Sequence, residues 1–499
     1  MKIERAIQRN MLPFTALAAF FLLPLASAVN PLVVSSQDFA DSITHDRFVV
    51  IGVDYQPGGQ GAYNPTNIVD PLSNGTLCLR DAALMQNLGI NTIRSYNVDP
   101  ALNYDECASI FNEIGIYMIV DVNSPLAGQS IDRGNPSGSY TLSYLEHIFS
   151  VVESFRSYPN TLGFFAGNEI INDIATAQDN PPYIRAVQRD IKEYIANHAG
   201  RTIPVGYSAA DVREVLSDTW AYLQCSTSGS AVNDTSRSDF FGLNSYSWCG
   251  SSATFESSHY SDLISTFSNT TIPVFFSEYG CNNPAPRVFN EVQALYGPQM
   301  TIMSGGLVYE YSQEVNNFGL VSPYGNGTAQ LLGGYDNLQR QYNQLNLSSL
   351  KSTNRAATSL VPPTCNSSLI TNKGFSTDFK IPRAPSGAAA VIANGISKAP
   401  TGIIVSIPQT SVPLAVYASN GGLIKGLGIK PVQGANSPSG QDMGANATAS
   451  SSSLASPTTG SSASGTGGES VTSVGAGAVS TEGVTLAMGV FLGAAAWII

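Results

Sequence analysis

Two glutamates end short, aromatic-rich apolar runs in this chain: LGFFAGNE closes on Glu169, and PVFFSEYG carries Glu278. Such runs, bounded by Gly, Pro and Asn, read as buried strands, and a carboxylate just past the end of a barrel strand sits at the mouth, where side chains from several strands meet. Two carboxyls so placed are what glycosidic-bond cleavage requires. One protonates the leaving oxygen and the other attacks the anomeric carbon, about 5–5.5 Å apart when configuration is retained. A solvated surface charge is the competing reading for either glutamate alone, and it weakens because both follow an apolar run.

Further polar and aromatic residues fall at the same kind of position. They are Tyr55 after Asp54, Arg94 and Tyr96, Asp121, Asn168 beside Glu169, Tyr207, Asn244 with Tyr246 and Trp248, and Tyr309 with Tyr311. Aromatic rings suit the apolar faces of pyranoses, while amides and carboxylates suit their hydroxyls; packing at a barrel rim is the alternative, above all for Trp248 and Tyr311. Arg94 is placed to orient a nucleophilic carboxylate and keep it ionised.

The elements that must position these residues follow an eightfold rhythm. Strand-like runs occupy Phe48–Asp54, Thr92–Tyr96, Tyr117–Asp121, Leu162–Asn168, Pro204–Tyr207, Phe240–Asn244, Pro273–Ser277 and Gly305–Tyr309. Helical patterns fall between them at Arg80–Leu88, Tyr104–Ile114, Leu142–Phe155, Tyr183–Ala199, Arg213–Leu223, Tyr260–Phe267 and Arg287–Tyr296. Eight alternations over about 260 residues predict an α/β fold of the (β/α)8 TIM-barrel type. A doubly wound open sheet is the runner-up, but no Gly-rich phosphate loop follows the first strand.

Outside residues 29–382, the expected catalytic domain, the composition shifts. Met1–Ala28 carries Lys2, Arg5 and Arg9 ahead of an apolar core and ends in Ala-Ser-Ala, the pattern of a cleaved secretory signal peptide. Residues 383–432 are apolar but punctuated by Gly and Pro, and this C-terminal extension reads either as a few strands on the barrel or as an extended segment. Residues 433–483 are mostly Ser, Gly, Ala and Thr, without an aromatic, and predict a disordered stalk. Val484–Ile499 is an apolar tail after small residues, the pattern of a GPI signal with its attachment residue in Ser464–Gly475.

Seven N-x-[ST] sequons, at Asn74, Asn233, Asn269, Asn326, Asn346, Asn366 and Asn446, agree with a secretory route. Cys78, Cys107, Cys225, Cys249, Cys281 and Cys365 are even in number and lack CxxC spacing. Three disulfides are therefore expected rather than a metal site, with fifteen connectivities open. The net charge of −12 becomes about −14 without the signal segment, and no basic cluster offers a nucleic-acid surface.

Six ordered motifs then point to a family. GVDYQPGG (Gly52–Gly59), NTIRSYNVDP (Asn91–Pro100), AGNEIIND (Ala166–Asp173), IPVGYSAAD (Ile203–Asp211), NSYSWCG (Asn244–Gly250) and FSEYGCN (Phe276–Asn282) together resemble the fungal 1,3-β-glucanosyltransferases. These are GPI-anchored glycoside-hydrolase-type enzymes with a TIM barrel, and the resemblance runs from Pro31 to Cys365. By similarity Glu169 is the acid/base and Glu278 the nucleophile; Tyr96, Asn168 and Tyr309 line the donor side with polar residues after Asp121, and Asp211 helps hold the acceptor. The resemblance implies the pairs Cys78–Cys107, Cys225–Cys365 and Cys249–Cys281. It also implies the branch without a cysteine-rich carbohydrate-binding module, since no cysteine follows Cys365. One departure is Leu216, where an acceptor-side Arg is expected, with Arg213 as a possible substitute.

The expected reaction is internal cleavage of a 1,3-β-glucan donor and transfer of the new reducing end to a second glucan chain, with no cofactor and no metal. The expected protein is a monomer on the outer face of the plasma membrane, or passed on to the wall. The rivals are a secreted endo-1,3-β-glucanase and an inactive glucan-binding wall protein.

Overall fold

A computed structural model describes residues 29–229, 234–352, 361–397 and 399–439. The signal segment Met1–Ala28, most of the stalk and the apolar tail lie outside the described residues. Eight parallel strands close into a barrel in sequential order: β1 (Val50–Asp54), β2 (Thr92–Ser95), β3 (Tyr117–Asp121), β4 (Thr161–Asn168), β5 (Val205–Ala210), β6 (Phe240–Ser245), β7 (Val274–Tyr279) and β8 (Met303–Val308). A helix follows each strand: α1 (Gly75–Leu88), α2 (Asp105–Glu113), α3 (Leu142–Phe155), α4 (Pro181–His198), α5 (Arg213–Gln224), α6 (Tyr260–Phe267), α7 (Glu291–Leu295) and α8 (Gly333–Tyr342).

Local chemistry sets the helix ends. The Asn74 side chain accepts from Leu77 N, so α1 begins five residues before the expected Arg80, and it stops at Gly89, whose φ of 86° suits a residue without a Cβ. Thr141 caps α3 in the same way, and Pro181 and Pro182 open α4, where a missing N–H costs nothing.

Alternation along the strands divides the core in two. Ile51, Val53, Ile93, Val120, Phe241 and Leu243 face the helices in one large cluster. Val50, Tyr117, Ile119, Leu162, Phe165, Phe240, Phe275 and Leu307 fill the barrel interior, joined by Val29, Leu32, Phe39 and Phe48 of an antiparallel N-terminal meander. Phe39, Phe165, Phe240 and Phe275 pack ring on ring and close the floor. Farther along the same inward positions the strands turn polar, with Asp54, Arg94, Asp121, Ser208, Asn244 and Ser277 all buried.

The C-terminal extension is mostly irregular but packed. Helix Ala388–Asn394 lies against α4, the Thr401 hydroxyl donates to Glu153 Oε1 (2.9 Å), and Val405 N donates to Ser109 Oγ (2.9 Å). The strand Val416–Tyr417 pairs with Ala329–Leu331, itself one arm of a hairpin with Val321–Pro323. Packing continues past the expected stalk boundary at Gln433: Asn436 is buried, its N–H donating to Gly115 O (2.9 Å) and its amide to Ile90 O (2.8 Å). The packed segment therefore runs past Gln433 to at least Asn436, because two αβ loops supply partners that composition alone does not reveal.

All three expected disulfides are present: Cys78–Cys107, Cys225–Cys365 and Cys249–Cys281. In the loop-entropy account, whose mechanism is model-dependent, the 140-residue span of Cys225–Cys365 constrains the unfolded chain by about 5 kcal/mol against about 3.6 kcal/mol for the 29-residue span of Cys78–Cys107. No helix among the described residues is long and apolar enough to cross a membrane.

Candidate active site

Arg94 is the hub of the polar layer. Its side chain is fully buried, and all five N–H groups of the guanidinium are engaged. Nε and Nη2 form a two-pronged pair with Asp121 (2.9 and 2.8 Å), Nη2 also reaches Asn168 Oδ1 (3.1 Å), and Nη1 reaches Ser277 O (3.2 Å) and Glu278 Oε1 (3.3 Å). Burial works against the charged form, but Asp121, Tyr96 and Glu278 together outweigh it and hold Arg94 well above its ordinary value. The rings of Tyr96 and Phe165 sandwich the guanidinium at 4.2 and 4.5 Å.

Glu278 stands at the end of β7 with 8% of its surface exposed. Tyr96 donates its phenol to Oε1 (2.8 Å) and Tyr246 to Oε2 (2.7 Å). Burial pushes this carboxyl up to about 7; the charge of Glu169 adds to the lift, while Arg94 and the two phenols oppose it. Across the cleft, Asn244 Nδ2 donates to Glu169 Oε1 (2.8 Å) and to Asn168 Oδ1 (3.1 Å). A continuous chain of polar contacts thus runs from Glu278 through Arg94, Asn168 and Asn244 to Glu169.

Neighbouring strand residues should face opposite ways, yet Asn168 and Glu169 both meet Asn244, and Ser277 and Glu278 both line the interior. Glu169 manages this with φ of 49°, its N–H held by Ser208 O (2.8 Å). On β7 the register shifts against β6 between Leu243 and Asn244 and against β8 between Phe276 and Tyr279, and such irregularities re-aim side chains. Asn168 spends its oxygen on Arg94 and Asn244, which leaves its Nδ2 to bond a sugar hydroxyl. Asn244 is oriented in turn by Ser208 and Ser277, whose hydroxyls reach its Oδ1 (3.1 and 2.8 Å).

Tyr309 forms a wall, edge-on to Tyr96, Tyr246 and Phe318. Asp211 lies at the rim, bonded by Ser245 Oγ (2.8 Å) and ion-paired with Arg213 (2.5 Å). Leu216 is buried on α5, so Arg213 is the cation that meets Asp211. Cys249–Cys281 ties the loops following Tyr246 and Glu278.

Four of the strand-end candidates are elsewhere. Tyr55 falls on the outward side of β1, fully buried against Phe111 and Tyr311, and donates to Asp81 Oδ2 (2.8 Å). One step of parity separates it from Asp54, which faces inward. Tyr311 shares Asp81 (2.8 Å), Tyr207 accepts from Ile171 N, and Trp248 packs on Tyr260, so these too are packing residues. Sequence reading missed Ser208, Ser277 and Phe318 and undervalued Asn244; inward parity on β5 to β7 was the available signal for three of these four. Asp54 is buried with neither carboxyl oxygen hydrogen-bonded, and burial pushes it well above the usual carboxylate range.

Residues 22–346 match the glucanosyltransferase family, glycoside hydrolase family 72. The chain belongs to this family. It is 53% identical over 415 residues to the 1,3-beta-glucanosyltransferase gel2 of Aspergillus fumigatus, covering 83% of this chain and 85% of that one. It is 44% identical over 422 residues to a probable 1,3-beta-glucanosyltransferase, GAS3, of Saccharomyces cerevisiae, covering 82% and 80%. Among solved structures it resembles Saccharomyces cerevisiae Gas2p in complex with laminaripentaose, at 33% identity and a TM-score of 0.63 over 73% of this chain and 79% of that one. A mutant of the same protein in complex with laminaritetraose and laminaripentaose matches at 32% identity and a TM-score of 0.63, over 73% and 77%.

Proposed function

We infer that this protein is a retaining 1,3-β-glucanosyltransferase that cleaves a 1,3-β-glucan internally and joins the new reducing end to the non-reducing end of another chain. The carrying observation is the pair of carboxyls, Glu278 and Glu169, linked through Arg94, Asn168 and Asn244. Three donors converge on Glu278, an arrangement that aims and supports an attacking carboxylate, which leaves Glu169, beside Asn244, for the acid/base role. Glu278 attacks the anomeric carbon while Glu169 protonates the departing oxygen, giving a covalent glycosyl-enzyme. Glu169, now ionised, takes the proton of an acceptor 3-hydroxyl as that oxygen displaces Glu278.

Asn168 bonds the donor sugar, Tyr96, Tyr246 and Tyr309 shape its subsite, and the Asp211–Arg213 pair at the rim faces the acceptor. Kinship with named glucanosyltransferases and with laminarioligosaccharide complexes supports transfer over hydrolysis. Incubation with a reduced laminarioligosaccharide should yield products longer than the substrate; shorter products alone would make this a hydrolase.

The ends add a location. Met1–Ala28 directs secretion, and Val484–Ile499 is exchanged for a GPI anchor that holds the monomeric enzyme on the outer face of the plasma membrane. Phosphatidylinositol-specific phospholipase should release active enzyme from membranes, whereas mature protein retaining Trp497 would point to a transmembrane tail.

A further inference from the structure

Among the five sequons on described residues, one is built unlike the others. Residues 324–328, Tyr-Gly-Asn-Gly-Thr, connect the hairpin strands Val321–Pro323 and Ala329–Leu331. Gly327 N donates to Tyr324 O and Tyr324 N to Thr328 O, both at 2.9 Å, with Gly327 at φ 85°. This is a three-residue hairpin loop, a tight turn followed by a bulge at a left-handed glycine.

The bulge gathers alternate side chains on one side. Thr328 Oγ1 donates to Asn326 Oδ1 (2.7 Å), and Gln330, two residues on and therefore on the same face, accepts from the Tyr324 phenol (2.9 Å). Tyr324 is 46% exposed and yet fixed by that bond, two residues before an exposed Asn. The other described sequons lack this arrangement. Asn74 serves as the cap of α1, Asn346 and Asn366 follow Gln344 and Thr364, and the aromatic two residues before Asn269, Phe267, is fully buried.

We propose that Asn326 carries an N-linked glycan whose first N-acetylglucosamine lies on the ring of Tyr324 and braces this hairpin. In the transfer, the amide nitrogen of Asn326 bonds to C1 of the sugar and loses a proton. The bond from C1 to the diphosphate of an isoprenoid-linked oligosaccharide breaks, and the diphosphate leaves with the electron pair. A β-linked pyranose presents a face of C–H bonds to the ring, and a phenol already held by Gln330 loses little freedom on contact. The hairpin follows the cleft wall directly: Leu320 N donates to Tyr311 O (3.0 Å) and Leu332 N to Leu320 O (2.9 Å), just past Tyr309 and Phe318. A glycan here therefore stiffens the support of the donor subsite.

The inference rests on the secretory reading of Met1–Ala28. The test uses the full chain expressed in a yeast host, with peptide mass spectrometry after endoglycosidase H, which leaves a single N-acetylglucosamine. The peptide containing Asn326 should carry that sugar, and trimming should leave the thermal midpoint in place. Asn326→Gln should lower the midpoint by about 2 °C, the scale of one weak contact in a domain of this size. In a Tyr324→Ala background the same substitution should produce no shift. A bare Asn326 in protein modified at Asn74 or Asn366 would overturn this proposal alone. Equal shifts in both backgrounds would remove Tyr324 from it, and modification at no sequon would overturn it together with the secretory reading.

Discussion

Glu278 and Glu169 carry the same functional group on one barrel rim but sit in opposite surroundings. Glu278 is nearly enclosed and accepts from two phenols and a guanidinium, while Glu169 is half-buried and, among the described residues, its carboxylate has a single donor, Asn244. An attacking group must be aimed and its anion supported, and three fixed donors do both against the lift that burial and the Glu169 charge impose. A group that gives a proton and takes one back needs room to change state, and heavy hydrogen bonding to its anion would defeat it. The difference between the two roles is thus written in donor count rather than in residue type.

Replacing each glutamate in turn tests this contrast most severely. Glu278→Gln should lower transfer by roughly 10²-fold or more with every donor substrate, because no covalent intermediate can form. Glu169→Gln should lose comparable activity on glucan but retain formation of the intermediate from donors with activated leaving groups, which need no acid. Trapping experiments and single-turnover kinetics distinguish them; a Glu278→Gln enzyme above about a hundredth of the wild-type rate would reverse the assignment.

Arg94→Lys is next in size. Lysine keeps the charge but cannot serve Asp121, Asn168 and Glu278 together, so kcat should fall about 10–100-fold with KM changed far less. An equal loss in KM alone would make Arg94 a substrate-binding group. Tyr246→Phe removes one of three hydrogen bonds to a charged acceptor, worth about 1.5 kcal/mol at the low end for such bonds, and should cost about 10-fold in kcat. The same change next to Glu169 has no counterpart, since no phenol bonds that carboxyl among the described residues.

The smallest effect is on stability. Burial pushes Glu278 and Glu291 up to about 7 and Glu310 up to about 9, and Asp54 shifts in the same direction. Each binds its proton more tightly folded than unfolded, so their stabilisation is complete below about 4.5, the ordinary glutamate value, and is lost as pH rises through 7 toward 9. Asp234 acts in the other direction: burial lifts it, but Arg185 with the hydrogen bonds from Ser236 and Thr227 overcomes that and holds it at about 2, so its contribution disappears only in strong acid. The thermal midpoint should therefore be several degrees higher at pH 5 than at pH 8, and Asp54→Asn should flatten that slope. A midpoint that climbs between those values would contradict the direction of these shifts.

The barrel was legible because each strand is a compact apolar run flanked by turn residues, and most strands turn polar at their last inward position, as Asp54, Arg94, Asp121, Asn244 and Ser277 do. Arg94, Tyr96, Asn168, Glu169, Tyr246 and Glu278 became candidates that way, and the fold brings them to one cleft. Tyr55 is not brought there, since a strand end offers two faces and only the register decides which one a residue takes. The extension resisted for another reason: Thr401, Val405 and Asn436 are held by partners hundreds of residues earlier in the chain, and no local periodicity encodes such contacts. The donor roles of Ser208 and Ser277 were hidden because they act through Asn244 and not on their own.

The phenylalanine floor has a consequence for the competition between water and sugar. Phe39, Phe165, Phe240 and Phe275 leave no passage through the barrel axis, so the glycosyl-enzyme can be approached only from the side on which the glucan itself arrives. Solvent and acceptor must then queue at a single doorway, and a long polymer lying across it delays the smaller visitor. Whether a linkage is broken or remade becomes a matter of how long that doorway stays occupied.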